Sequence, residues 1–447
     1  MSINLSGIIP PKSKIQIFID RYQYLISILA TFLFFTEIPD YLSGVNILPL
    51  NPLAWIGIFT VLSLPFFKKI VSMPRPLVIG LILYLSIAII SLATMSSDEE
   101  SMQDFRLRVL SVFFICLMYV IYEQKSLNQI KYALIAAALL AVLNNFIELA
   151  NPGIFSDLNV GRPAGFYINP TKTGAALVLG MLLGINVIKK PFRWLFVLII
   201  GLGIICTFSR GPILGWVVCL PLFIGAKVLS DRRRTVVMPI LILIAVAVIA
   251  NPLTLLTNYF SGGTDGAYWN VLNRLEQFQS PSLEDDSSKE RKSVAREAWY
   301  LFGNSPFWGN GLASTRKWTV ADVSTHNMYL YDLADHGIIG LLFLPGAIFA
   351  VVYQNKGEQK VILIGYAIFM SLLGVFSHNV LEERYILISF SLLAAMNTNQ
   401  RRYLSYSLGG NMMMALPPAK AQFLLPPART QRMLPPAAYQ KTSGPKE

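Results

Sequence analysis

The sequence predicts an all-α polytopic membrane protein with about twelve transmembrane helices and one large external loop domain between spans 9 and 10. Of its 447 residues, 54% are hydrophobic and only 14% are charged, and the mean hydropathy is +0.53. About a quarter of the residues in a typical soluble domain are charged, so this composition suits lipid. Apolar runs that approach the roughly 20 residues needed to cross a bilayer recur along the chain.

Short connections separate most of the predicted spans. The spans lie near residues 22–38, 47–67, 77–95, 109–122, 130–149, 173–188, 194–208, 211–229, 235–256, 338–353, 361–376 and 384–396. They divide the chain into spans 1–9 (1–256), a loop domain with an active-site helix (257–337), spans 10–12 (338–400) and a basic tail (401–447).

The basic residues predict the orientation, because lysine and arginine accumulate in cytoplasmic loops. With a cytoplasmic N-terminus, about two thirds of the 37 basic residues but only a fifth of the 25 acidic residues fall inside. The net charge of +12 therefore reflects membrane orientation, and nucleic-acid binding is not indicated. Both termini are predicted to be cytoplasmic.

The ends of the chain and its cysteines add little chemistry. No A-x-A-like cleavage site follows the first apolar run, which indicates a retained span. Cys116, Cys206 and Cys219 lie within predicted spans, where thiols behave as small hydrophobes. The tail repeats LPPA at 416, 425 and 434, and its composition predicts disorder.

Four external arginines run against the charge trend of the chain. They are Arg162, Arg210, Arg291 and Arg296. A guanidinium presents a planar fork of donors that matches phosphate oxygens, so these residues are candidates for binding an anionic ligand at the membrane surface. Snorkelling or a surface salt bridge is the alternative for each. Arg106 and Arg108 are interpreted as paired with acidic residues nearby in the sequence.

One histidine segment is the candidate for acid–base chemistry. Ser324 or Thr325 is predicted to cap a helix that begins at His326 and enters the membrane at Ile338. The positive end of the helix dipole would keep this imidazole neutral and able to accept a proton. His336 and His378 are interpreted as surface histidines without a role.

Signatures of soluble enzymes are missing from the sequence. It contains no phosphate-binding loop, no HExxH, no G-x-S-x-G and no G-x-G-x-x-G. The three histidines and the dispersed acidic residues show no metal-ligand spacing, so neither a metal nor a cofactor is predicted.

Four segments in order resemble the O-antigen ligase and polymerase-like membrane glycosyltransferases. They are GRPAGFYINP at 161–170, TFSRG at 207–211, the stretch from Arg291 through SPFWGNGL at 305–312, and THNMYLYDLADHGIIGLL at 325–342. The large external loop before the histidine segment also follows the layout of that family. The resemblance covers the chain from the first span to about Met396.

The resemblance implies transfer of a glycan from an undecaprenyl-diphosphate carrier to an acceptor, at the periplasmic face of the bacterial inner membrane. Arg210 and Arg291 match arginines that hold the diphosphate, and His326 matches a histidine proposed to activate the acceptor hydroxyl. Arg162 matches a less uniform arginine. Substrate binding is also assigned to Asn327 and Arg296. Arg296 is included because it is the alternative equivalent of the family's arginine. The spacing from Pro306 favours Arg291 over Arg296.

The acceptor remains open at this point. A ligase transfers the glycan to lipid A-core, a polymerase transfers it to another lipid-linked repeat unit, and related enzymes transfer it to protein. The single large loop before the histidine helix favours the ligase. A twelve-span transporter is the alternative from another class. The absence of repeat symmetry, the large external domain and the apparent lack of ionisable residues deep in the spans argue against it.

Overall fold

The computed structural model describes residues 13–48, 50–95, 98–124, 127–156, 161–229, 286–318, 325–353 and 358–408. These residues form α-helices, short 3₁₀ segments and connections, with no β-strand among them. The all-α class predicted from the sequence is thereby confirmed. The predicted ninth span, residues 257–285 and 319–324 of the external loop domain, and the LPPA repeats lie outside the described residues.

Fifteen α-helices follow one another in the described residues. The first nine are α1 (Lys14–Phe35), α2 (Ile38–Gly44), α3 (Pro52–Ser63), α4 (Arg75–Thr94), α5 (Glu99–Tyr122), α6 (Asn128–Ala150), α7 (Pro170–Gly184), α8 (Lys190–Cys206) and α9 (Arg210–Gly225). The others are α10 (Asp286–Asn304), α11 (Ser314–Trp318), α12 (Met328–His336), α13 (Phe343–Val352), α14 (Glu358–Phe376) and α15 (Arg384–Leu408). The 3₁₀ segments Leu64–Ser72 and Ile185–Val187 prolong α3 and α7, Gly165–Tyr167 precedes α7, and Gly337–Leu342 joins α12 to α13.

Eight helical segments of the described residues are long and apolar enough to cross a membrane. They include α12 to α13, which together run from Met328 to Val352. This supports a membrane protein, while the count of twelve spans remains a prediction. Helices α8 and α9, with 17 and 16 residues, are shorter than a typical membrane-crossing helix.

Burial separates central helices from peripheral ones. The segment Pro170–Val187 is 78% buried, whereas Arg75–Thr94 is only 17% buried. Ile79, Ile82 and Leu83 of α4 are more than half exposed, although all three are large and apolar. Such a surface is favourable against lipid and unfavourable against water, which agrees with the composition.

Glycines allow the helices around α9 to pack closely. A Cβ atom at Gly201 of α8 would lie 2.2 Å from the Trp216 ring of α9. One at Gly215 of α9 would lie 2.3 Å from the Phe369 ring of α14. Small residues at helix contacts are typical of membrane bundles, where close packing replaces the hydrophobic driving force. This packing holds the beginning of α9 beside the end of α14.

Contacts between distant segments gather at two ends of the bundle. One end carries the predicted external segments and is named the site end. There Lys172 pairs with Glu383 at 2.8 Å, and Ser101 Oγ donates to the carbonyl of Leu312 at 3.0 Å. At the opposite end, Lys69 Nζ donates to Gln23 Oε1 at 2.6 Å. Each contact joins segments that the sequence assigns to one side of the membrane.

Replacing Gly201 by alanine should destabilise the bundle, because the new methyl group would overlap the Trp216 ring. Overpacking of this kind typically costs about 1–3 kcal/mol. The measurement is the thermal unfolding of the detergent-solubilised protein. Gly80→Ala is the matched control, since a Cβ atom there meets nothing within 4 Å. An equal or higher melting temperature for Gly201→Ala would show that this contact does not constrain α8.

Candidate active site

The turn that carries His326 lies immediately before α12. Asn327, and neither Ser324 nor Thr325, caps this helix, and its side-chain oxygen accepts from the Leu330 N–H at 3.2 Å. The predicted start of the helix at His326 is therefore wrong. Asparagine is as good a capping residue as serine and better than threonine. The helix therefore begins at Met328, two residues later than predicted. The His326 side chain is exposed and lies outside the helix.

A second turn, Ser377–Glu383, lies against the His326 turn. The Met328 N–H donates to the carbonyl of Ser377 at 3.1 Å, and the His326 and His378 ring centroids are 5.9 Å apart. Asn379 donates to the Glu383 carboxylate, which also pairs with Lys172. The backbone after α14 is therefore fixed on one side by α12 and on the other by α7.

Arg210 is the first residue of α9, at the site end. The preceding Ser209 hydroxyl lies 2.9 Å from the Thr171 hydroxyl at the start of α7. A Cβ atom at Gly211 would lie 3.2 Å from the Phe376 ring, directly before Ser377. The end of α14 and the residue after it are therefore flanked by two predicted site segments, the start of α9 at Phe376 and the His326 turn at Ser377.

Arg162 lies in a loop that α6 and α7 hold rigidly. The Glu148 carboxylate accepts from the N–H groups of Ala164 and Gly165, both at 2.7 Å. Thr173 Oγ1 donates to the Ala164 carbonyl at 2.6 Å. Two charge-assisted hydrogen bonds to one carboxylate make this a well-ordered support for a half-buried arginine.

Helix α10 distinguishes Arg291 from Arg296. Its buried residues Val294, Ala298 and Leu301 have helical spacing and form one face. Ala298 and Leu301 pack against Leu330 and Ala334 of α12. Arg291, three residues before Val294, lies on that same side of the helix, whereas Arg296 lies on the opposite side. Both side chains are exposed.

The loop after α10 clamps the end of α12. Pro306 O accepts from the Ile338 N–H at 2.8 Å, and the Asn310 and Gly311 N–H groups donate to carbonyls of α12 at 2.9 and 3.1 Å. A Cβ atom at Gly309, whose φ is +76°, would lie 2.2 Å from Asp335 O. The motif SPFWGNGL therefore supplies partners for the helix-end carbonyls that would otherwise lack them.

A buried arginine joins α5 to α12. The Arg108 guanidinium is 1% exposed and pairs with Asp104 at 2.9 Å, Asp335 at 3.7 Å and Asp332 at 3.9 Å. The sequence interpretation included only acidic residues nearby in the sequence, Asp104 among them. It also held that no ionisable residues lie deep in the spans, and the buried Arg108 shows that this is wrong for α5. The pairing was missed because Asp332 and Asp335 of α12 lie far away in the sequence.

The interpretation of His336 as a surface histidine is also wrong. Its side chain is 2% exposed, and its ring lies 5.2 Å from the ring of Phe343. Asp335 turns inward beside it, and its carboxylate accepts from the backbone N–H groups of Ala313 and Ser314 at 3.0 and 2.9 Å. This part of the histidine segment therefore belongs to the buried scaffold of the site.

Charged groups that the sequence reasoning missed lie around the Ser377–Glu383 turn. Burial, and then the positive charges of Arg316 and His326, lower the pKa of His378 to about 4. Burial, and then the charge of Asp104, raise the pKa of Glu382 to about 7. The signal in the sequence was the polar run SHNVLEER between two apolar spans. Arg316 is the fourth residue after GNGL but has no motif of its own.

No group of three or more His, Cys, Asp or Glu side chains that could hold a metal ion occurs in the part of the chain that the structure describes. The acids near the site instead pair with arginine, lysine and backbone N–H groups. The candidate site presents cations, one exposed imidazole and a second, neutral imidazole.

A family model described as O-antigen ligase matches residues 195–345. The match confirms the resemblance to O-antigen ligases. It covers about a third of the chain and includes three of the four segments that carry the resemblance, all except 161–170. No curated protein matches the chain. The family supports an activity of the O-antigen ligase or polymerase type in a bacterial membrane, with a lipid-linked glycan and an acceptor as substrates.

Removing the Arg108 side chain should destabilise the protein strongly, because Asp104, Asp332 and Asp335 would lose their buried cation. Breaking a buried ion pair typically costs about 3–5 kcal/mol. Arg108→Ala should therefore unfold at a much lower temperature than the wild type in detergent. Arg106→Ala is the control on the same helix, since Arg106 is exposed. Equal melting temperatures for the two variants would contradict the role given to Arg108.

Proposed function

We propose that the protein is an O-antigen ligase that transfers a glycan from undecaprenyl diphosphate to an acceptor hydroxyl of lipid A-core. The reaction would take place at the periplasmic face of the inner membrane, with both termini of the chain cytoplasmic. One observation carries the proposal: the end of α14 lies against two predicted site segments, with Phe376 beside the first turn of α9, which begins with Arg210, and Ser377 bonded to the turn with His326.

In the proposed reaction, the acceptor oxygen attacks the anomeric carbon of the donor glycan. The new carbon–oxygen bond forms as the bond to the diphosphate breaks, and the electron pair leaves with the diphosphate oxygen. His326 takes the hydroxyl proton during attack, and general-base catalysis of this kind contributes typically ~10²–10⁴-fold. A single displacement inverts the anomeric configuration.

Arginines in the proposal stabilise the departing diphosphate. Negative charge grows on the leaving oxygen, and preorganised cations at that place lower the barrier. Arg210 is assigned to this role because its helix begins beside the Ser377–Glu383 turn. The guanidinium remains charged at any working pH and can hold two phosphate oxygens at once. These groups meet the needs of the reaction without a metal ion or cofactor.

Arg291 is assigned to the diphosphate in preference to Arg296. The Asn310 side chain donates to the carbonyls of both Leu301 and Ala334, which ties α10 to α12 at one level. Counted from Leu301 toward the start of α10, Arg291 lies ten residues away, about 15 Å at 1.5 Å per residue. Counted from Ala334 toward the start of α12, Met328 lies six residues away, about 9 Å at the same rise. Arg296, on the opposite face, is proposed as a weaker glycan contact.

Arg162 and Asn327 complete the proposed substrate site. The Arg162 loop is held on α7, whose first turn contacts the first turn of α9 through Thr171 and Ser209. An arginine there lies on the same side of the bundle as Arg210 and suits a second phosphate contact. The Asn327 oxygen is occupied by the helix cap, so its amide N–H groups are the part assigned to the glycan.

Alanine at Arg210, Arg291 or His326 should reduce transfer by about 10²-fold or more, because each change removes a group that acts in the transition state. The measurement is the rate with purified protein, lipid-linked O-antigen and lipid A-core. Arg296→Ala, on the far side of α10, is the matched control and should lose less than ~10-fold.

A fully active His326→Ala enzyme would remove the base from the mechanism. Equal losses in Arg291→Ala and Arg296→Ala would show that the face of α10 does not select between them. The same assay with EDTA should proceed at the wild-type rate, and complete inhibition that Mg²⁺ restores would contradict the metal-independent route.

Gene deletion separates the ligase from a polymerase, which the family match also supports. Loss of a ligase should leave lipid A-core without O-antigen on a gel, while the finished polymer accumulates on its lipid carrier. Loss of a polymerase should instead leave core capped with a single repeat unit. The second pattern would replace the acceptor in the proposal, and an unchanged gel would point to a protein acceptor.

A further inference from the structure

His378 has a feature that the proposed reaction does not use. Its ring lies between two others, with the His326 centroid at 5.9 Å and the Tyr331 centroid at 6.0 Å. Its Nδ1 atom is buried and has no hydrogen-bond partner in the described part of the chain.

The far side of His378 is rigid. Tyr331 OH donates to Asp104 Oδ1 at 2.6 Å, and the other Asp104 oxygen pairs with Arg108 at 2.9 Å. Tyr331 is itself only 3% exposed. The ring of Tyr331 is therefore fixed by a charge-assisted hydrogen bond inside a buried ionic group, and it gives His378 a firm surface to rest on.

The backbone of His378 is equally restrained. Ser377 O accepts from the Met328 N–H at 3.1 Å, and the Ser377 hydroxyl donates to Asn379 Oδ1 at 2.6 Å. The residues on either side of His378 are therefore tied to α12 and to the Glu383–Lys172 pair. The exposed His326 ring has this fixed imidazole as a neighbour on its protein side.

We infer that His378 positions the His326 ring, as an uncharged wedge between His326 and the buried group Tyr331, Asp104 and Arg108. The inference rests on the proposed role of His326 as a base. A fixed wedge limits the orientations of His326, and misplacing a catalytic group by about 1 Å can cost about 10²-fold in rate. An uncharged wedge also leaves the imidazolium that forms on His326 without a repelling neighbour.

The charges around His378 agree with an uncharged wedge. Arg316 of α11 and Lys172 of α7 disfavour a second positive charge, and so does His326, while Asp104 of α5 favours it. Glu382, on the same turn, is close enough to Asp104 and Arg316 to respond to both. Burial and the cations prevail, and the lowered pKa keeps His378 neutral near pH 7.

Three substitutions separate positioning from simple packing. His378→Ala removes the wedge and should lower kcat about 10–100-fold at an unchanged KM for the donor. His378→Phe restores an uncharged ring and should recover most of that loss. His378→Lys places a cation beside His326, which disfavours its imidazolium and lowers its pKa. The acidic limb of the pH–rate profile should then move about one unit to lower pH.

The test uses the purified full-length chain with lipid-linked O-antigen and lipid A-core, at saturating concentrations from pH 5 to 8. The chain contains only three histidines, so nitrogen-15 NMR of the imidazole rings gives the His326 pKa directly, without an assay. Asn128→Lys, at the opposite end of the bundle, controls for the added charge and should shift neither the profile nor the His326 resonance.

The outcomes are distinct. Wild-type kcat in His378→Ala, or an unmoved His326 pKa in His378→Lys, would overturn the positioning role. If His378→Ala does not fold, the His378→Lys titration alone decides. A wild-type protein that transfers nothing would instead overturn the proposed function, and the NMR titration would still decide whether His378 sets the state of the His326 ring.

Discussion

The pairing of Arg108 with three carboxylates is the interaction on which the arrangement of the site depends. Asp104 comes from α5, while Asp332 and Asp335 come from α12, more than 220 residues later. The guanidinium thus fixes the short helix that follows His326 against a membrane-crossing helix. Burial makes this link conditional, because each charge is tolerated only while its partners remain in place.

Helix α12 and the turn before it have different roles in the histidine segment. Its inward face carries Tyr331, Asp332 and Asp335, which are all buried, and its beginning presents the exposed His326. The loop 305–313 then closes the far end of the helix by accepting one N–H group and donating two more. A segment that reads as one motif in the sequence is therefore an exposed histidine on a rigid support. Catalysis by a base needs both properties, since the ring must reach the substrate from a fixed position.

The sequence was sufficient for the class of the protein and for its local chemistry, but less so for long-range contacts. Apolar runs predicted the helices, the charge bias predicted their orientation, and the nearness of Arg108 to acidic residues in the sequence predicted a local ion pair, which forms with Asp104. Nothing local distinguishes Asp335, whose partners are Arg108, the Ser314 hydroxyl and two backbone N–H groups. His378 was dismissed for the same reason, because its significance comes from two rings on another element. The capping residue was misplaced because Thr325 and Asn327 are both acceptable, and tertiary contacts decide between them.

The buried charges also bear on the choice between an enzyme and a transporter. Charges inside a membrane bundle often mark a transport pathway, and the sequence argument that none are present fails at Arg108. Two carboxylates of this group, Asp104 and Asp335, are, however, occupied by the protein itself. Tyr331 and Arg108 take the two oxygens of Asp104, and Ser314, Ala313 and Arg108 surround Asp335. A transport site must exchange its partners for a passing solute, whereas these charges are committed to holding α12. The exposed cations and the exposed imidazole lie beyond this group at the site end, where a lipid-linked substrate would meet them from the membrane surface.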